Sequence, residues 1–105
     1  MSYTVRFLPE LEEDLMAAHD WYDDKSAGLG AEFLRIFYAH AAILSRTPLI
    51  FTKVHQDFRR GLLRRFPYAC YFRIEGDFVI VYGVFHCARD PYSVNEFLDC
   101  RLKIK

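Results

Sequence analysis

FRRGLLRRFPYACYFRIEGDFVIVYGVFHCARDPY, residues 58–92, holds three runs of strand character: Phe58–Phe66, Tyr68–Ile74 and Phe78–Phe85. Glu75-Gly76-Asp77 separates the last two and has the composition of a hairpin turn, with glycine free to take positive φ. Three strands so closely spaced predict an antiparallel sheet. If the first run stays extended, side chains at Phe58, Arg60, Leu62, Arg64 and Phe66 share one face, and those at Arg59, Leu63 and Arg65 the other. The arginines then fall on both faces. No acid lies between Arg59 and Arg73, so this basic run exceeds what local ion pairing needs and points to an acidic partner.

Upstream, the periodicity changes. Tyr3–Leu8 alternates as a strand and ends at Pro9, a residue suited to the first position of a helix. Leu8, Leu11, Leu15, Ala18 and Tyr22 recur at helical spacing to about Lys25, and Glu10, Glu12, Glu13 and Asp14 fill the first turns as a solvated face that suits the helix dipole. Gly28 and Gly30 punctuate the chain. A second helix carries Leu29, Phe33, Ile36, Phe37, His40, Ile43 and Leu44 on one side and stops at Thr47-Pro48. The short link predicts an antiparallel helix hairpin. Residues 48–57 read as a loop with a short extended piece around Thr52–His55, and the tail from Ser93 is open between helix and strand. The expected fold is α+β: an N-terminal strand and a helix hairpin packed on a mainly antiparallel sheet of about four strands.

With 105 residues, 52% of them hydrophobic, and ten Phe and seven Tyr, the chain is expected to form one packed domain over residues 1–105. So high an aromatic content in so small a core implies exposed rings on a binding face. The formal net charge of zero conceals an asymmetry: residues 1–50 hold eight acids and four bases, residues 51–105 six acids and ten bases. No apolar run is long enough for a membrane span and no leader pattern opens the chain, so a cytoplasmic location is expected. Cys70, Cys87 and Cys100 show no CxxC spacing, and His86 and Cys87, adjacent in a strand, point to opposite faces. Neither a metal site nor a cofactor is expected.

Several motifs, in order, carry a resemblance. These are Tyr3-Thr4-Val5 leading into a helix with Glu13-Asp14-Leu15, the Trp21-Tyr22 pair, and a second helix ending at Thr47-Pro48. Arg59-Arg60, Arg65-Phe66-Pro67-Tyr68 and Val84-Phe85-His86-Cys87-Ala88-Arg89-Asp90-Pro91 complete the set. Over residues 3 to about 92 the chain resembles the ParE/RelE superfamily, the toxins of type II toxin–antitoxin systems, also called plasmid stabilisation proteins. The resemblance implies a cognate antitoxin as partner, in a homodimer or toxin–antitoxin heterotetramer. It also implies one of two activities: poisoning of DNA gyrase by binding, as in the ParE-like branch, or ribosome-dependent, metal-free cleavage of mRNA, as in the RelE-like branch.

The nuclease branch places basic residues at positions equivalent to 60, 62, 69 and 86 and a tyrosine at 92. This chain has Arg60, Leu62, Ala69, His86 and Tyr92. Metal-free cleavage needs a proton removed from a 2′-hydroxyl, a stabilised phosphorane and a protonated leaving oxygen. Arg60, His86 and Tyr92 are the candidates for those roles, but two of the expected cations are missing. The ParE-like reading is therefore preferred, without a catalytic constellation. Arg59, Arg60, Arg64, Arg65, Arg73 and Arg89 are the candidates for binding a target or antitoxin. Among the remaining residues, Trp21 and Tyr22 are expected to pack at the helix end, His40 to be a satisfied core histidine, and His55 to be an exposed loop residue. His86 and Asp90 are expected to fix the turn that follows the last strand.

Overall fold

The computed structural model describes residues 2–104. Strand β1 (Thr4–Phe7) leads into helices α1 (Pro9–Lys25) and α2 (Leu29–Leu44). A short 3-10 turn, Pro48–Ile50, precedes β2 (Thr52–His55), β3 (Phe58–Leu62), β4 (Tyr68–Glu75) and β5 (Phe78–His86), and helix α3 (Pro91–Ile104) closes the chain. The fold is α+β, with a five-stranded sheet in the order β1-β5-β4-β3-β2. The extended piece at Thr52–His55 supplies the additional strand. All pairings are antiparallel except β1 with β5, where Thr4–Phe7 run parallel to Phe78–Val81. Among the described residues, no helix is long and apolar enough to cross a membrane.

The hairpin forms where the sequence punctuates it. Pro9 opens α1, and Gly28 caps α2 with a φ of 90°, a left-handed conformation that glycine adopts without a Cβ clash. The Asp23 carboxylate accepts the N–H groups of both Gly28 and Gly30, tying the link to α1. At Gly30 the helices meet so closely that a Cβ would stand 2.6 Å from the carbonyl oxygen of His19.

Two cores sandwich the sheet. On one face the hairpin buries Leu11, Leu15, Phe33, Phe37 and Leu44 against Cys70, Phe72, Val79, Val81 and Val84. Tyr22, Phe33, Phe66 and Tyr68 form a ring cluster there, with centroids 4.8 to 6.0 Å apart. On the other face, Val94 and Leu98 of α3 cover Phe58, Ala69, Tyr71, Ile80, Tyr82 and Phe85. Each fully buried ring contributes about 1.5–3 kcal/mol through removal from water. The aromatic content is thus mostly absorbed by two shallow cores, while Trp21, Tyr38 and Tyr92 stay 55%, 54% and 71% exposed.

One expectation needs correction, and one left open is now decided. The run Phe58–Phe66 is not one strand. It leaves the sheet after Leu62, Arg65 takes a φ of 67°, and both Leu63 and Phe66 turn into the hairpin-side core. The alternation that places Arg64 and Phe66 on one face therefore ends at Leu62. The open tail is a helix, started by Asp90, whose carboxylate accepts from the backbone N–H and hydroxyl of Ser93 at 3.4 Å.

Candidate functional site

A pocket of about 750 Å³ opens where β1 stops short of the end of β5. Leu8 still donates to the Val81 carbonyl, but beyond that point the outer edge of β5 has no neighbouring strand among the described residues. The pairing of β5 with β4 also slips here: Tyr71 faces Gly83 while Phe72 faces Val81, which makes Tyr82 the extra residue of a bulge. Side chains from both layers reach around this bare edge. Trp21, Tyr68 and His86 come from the hairpin side, and Phe85, Phe97, Arg89 and Arg101 from the α3 side.

The back of the pocket is an ion pair that crosses the sheet edge. Arg101 of α3 donates through Nη1 and Nη2 to the two oxygens of Asp14 on α1, at 2.7 and 3.0 Å, and Nη1 also donates to the Tyr82 carbonyl at 2.8 Å. Asp14 accepts in addition from the Val84 N–H at 3.2 Å. The two side chains are only 12% and 11% exposed. Burial alone would lower the pKa of Arg101, but the hydrogen bond and charge of Asp14, with Glu10 and Glu13 nearby, outweigh it and raise the value. Asp14 is thus not part of a solvated face. Its position was legible, since it stands three residues after Leu11 and four before Ala18, on the apolar side of α1.

The rim is aromatic and cationic. The Arg89 guanidinium lies over the rings of Phe85 and Phe97, at 5.3 and 4.9 Å from their centroids, and those rings stack on each other at 5.7 Å. The Tyr68 ring meets that of His86 edge-on at 5.2 Å. Burial, and then the neighbouring Tyr22, raise the Tyr68 pKa against a smaller opposing effect of Arg89, so the phenol stays protonated. His86 Nδ1 accepts the N–H of Ala88 at 3.0 Å, which fixes the neutral ring as the Nε2–H tautomer. The histidine therefore shapes the turn through Ala88, while Asp90 serves α3. Trp21 sits edge-on to Tyr22 at 5.0 Å with the Lys25 ammonium over its ring at 4.7 Å, and is more than half exposed at 55%. It is a surface of the site, not buried packing.

The arginines do not converge. Arg59 points to the hairpin side, where Nη1 donates to the Phe51 carbonyl at 2.6 Å. Arg60, opposite Tyr71, lies exposed on the α3 side. Arg65 joins the Glu32 carboxylate together with Arg35. Arg73 lies over the Phe58 ring at 5.6 Å, with Asp57 and Glu75 at 3.8 and 3.9 Å. Arg64 has no partner among the described residues and stands beside α2, near Arg35. Of the six candidate arginines, Arg89 alone lines the β5 pocket, beside Arg101 of the ion pair.

The nuclease candidates are equally separated. Arg60 shares the α3 side with Phe58 and Tyr71, whereas His86 pairs with Tyr68 and follows Val84 on the hairpin side. From the register their Cα atoms are on the order of 14 Å apart, two strand spacings across and three residues along. Tyr92 is 71% exposed at the start of α3. Leu62 is 60% exposed and Ala69 is buried, so neither position offers a cation. Among the described residues no group of three or more His, Cys, Asp or Glu is placed to hold a metal. Cys70 is a buried thiol whose pKa burial pushes far up, which leaves it inert.

No protein-family model matches the chain, and no curated protein sequence does. Solved structures do. A chain of the chromosomal ParDE toxin–antitoxin system from P. aeruginosa superposes with a TM-score of 0.71, covering 80% of this chain and 95% of that one at 16% identity. A chain of the RelBE2 toxin–antitoxin complex from Mycobacterium tuberculosis superposes with a TM-score of 0.56, covering 82% of this chain and 99% of that one at 23% identity. The chain has the ParE/RelE fold.

Proposed function

We propose that the chain is the toxin of a type II toxin–antitoxin pair, a single cytoplasmic domain that acts by binding, with DNA gyrase as its target. The fold supports the toxin assignment, because the two solved structures described above come from toxin–antitoxin assemblies. The preference for binding over RNA cleavage rests on one observation: Arg60 and His86 occupy opposite faces of the sheet. A phosphodiester held by one cannot have its 2′-hydroxyl deprotonated or its leaving oxygen protonated by the other, because general acid–base catalysis requires hydrogen-bond reach. The β5 pocket has the composition of a contact surface instead. Trp21 supplies exposed ring area and Arg89 a charge held over two rings, the residue types that dominate binding energy at protein interfaces.

The test is induced expression of the chain alone in a bacterial host, following growth, plasmid supercoiling and protein synthesis together. Growth arrest with altered supercoiling or broken DNA, while translation continues at first, is expected. Early arrest of translation would replace this reading with the ribosome-dependent nuclease. Unimpaired growth would leave an antitoxin-binding module without toxicity.

A further inference from the structure

A second pocket, of about 330 Å³, lies between α2 and the β3–β4 loop, apart from the β5 edge. Its floor is aliphatic, made by Ile36, Ala39 and Ile43, and its mouth is ringed by Arg35, Arg64 and Arg65. Arg35 and Arg65 already grip one carboxylate, that of Glu32. Three guanidiniums against one carboxylate leave a positive excess, and Arg64, exposed and without a partner among the described residues, carries the unmatched charge. His40 closes the inner side at 7% exposure, with its Nε2, unpartnered among the described residues, buried against Gly61 of β3 and turned away from the pocket, so recognition rests on the arginines and the aliphatic side chains.

We propose that this pocket is a docking site for an acidic, aliphatic peptide segment of a partner protein. A partner carboxylate would sit between Arg64 and the Arg35–Arg65 pair, and a neighbouring Leu, Ile or Val would rest on the floor. Glu32 shows within the chain itself that these guanidiniums take a carboxylate in this geometry. A nucleic acid fits less well. Its bases need rings to stack on, and none of the residues lining this pocket carries one apart from the buried imidazole of His40. Occupancy of this pocket does not require that the chain be toxic, because none of its residues lines the β5 pocket.

The test pans the intact chain against a displayed library of random twelve-residue peptides, then measures the enriched sequences as capped synthetic peptides by calorimetry and by amide shifts in NMR. The expected result is enrichment of Asp or Glu next to an aliphatic residue, with shifts at Ala39 and Ile43. Affinity should fall at least tenfold when the peptide acid becomes its amide, and equally in Arg64→Glu. Arg64→Gln, with an unchanged thermal melt, serves as a second variant that keeps the residue polar. Peptides without an acid, shifts centred on Trp21 and Arg89, or full affinity in both Arg64 variants would each overturn the proposal. So would inorganic phosphate or a single-stranded oligonucleotide that moves the same amides at lower concentration than any peptide.

Discussion

Asp14 receives hydrogen bonds from two directions, two from the guanidinium of a helix on the far side of the sheet and one from the backbone of the strand between. Removing it strands Arg101 in a site 12% exposed, and breaking a buried pair from one side costs about 3–5 kcal/mol. Asp14→Ala should therefore lower the urea midpoint sharply, and Asp14→Leu combined with Arg101→Met should regain much of the loss. A single variant within about 1 kcal/mol of wild type would reduce the pair to an ordinary surface bridge. His40 makes the opposite kind of contribution. Burial holds its pKa below 6.5, so the folded state resists a proton that the unfolded chain accepts. Stability on this account is complete above the unfolded value and is lost as pH falls from about 6.5 towards the folded pKa. Urea titrations at pH 7.5 and 5.5 should show a larger acid loss in wild type than in His40→Gln; equal losses would remove His40 from the pH dependence. The sequence expectation of a satisfied core histidine captured the burial and missed the unpartnered nitrogen. His55 differs too: it is half-buried and meets Asp99 of α3 at 2.9 Å.

Elements with punctuation were legible, and those shaped by contacts distant in sequence were not. Pro9, Gly28 and Pro48 mark the helix hairpin because proline and glycine act on the backbone locally. The end of β3 carries no such mark, since Leu63 and Phe66 continue an apolar pattern while the backbone turns them both inward. In α3, Val94 and Leu98 are the buried pair, and a helix lying on a sheet through so narrow a stripe gives a weak period. The bulge in β5 was equally silent, although Gly83 marks it. A Cβ there would stand 2.5 Å from the Phe85 ring and 3.0 Å from Arg101 Nη1. Gly83→Ala is therefore expected to cost about 1–3 kcal/mol by overpacking and to disturb the Phe85–Phe97 stack. Thermal melts would register the first effect and aromatic NMR shifts the second; an unchanged protein by both measures would mean that the bulge has room to spare.

At the scale of the whole molecule, the sequence conveyed the charge asymmetry but not its disposition. Arginines adjacent in the chain are sent to opposite faces, as Arg59 and Arg60 are, and others are matched within the fold, as Arg65 is by Glu32. The candidate site was legible in His86 and Arg89. It was illegible in Trp21, which reads as helix-end packing, and in the Asp14–Arg101 pair, whose members are 87 residues apart. The separation of the faces has a measurable result. If the proposed reading holds and both residues contact the partner, Arg60→Ala and His86→Ala should weaken binding to it additively, the double variant matching the sum of the singles within about 0.5 kcal/mol. A coupling well beyond that would mean that the two residues act on one group of the partner after all. The clasp at the β5 edge also supplies a reporter. The Val84 amide gives its proton to a helix carboxylate and not to a neighbouring strand, so its exchange with deuterated solvent follows the lifting of α1 from the sheet. One backbone signal, read over hours, would thus record how often the helix layer parts from the strand layer, and whether a bound partner holds it down.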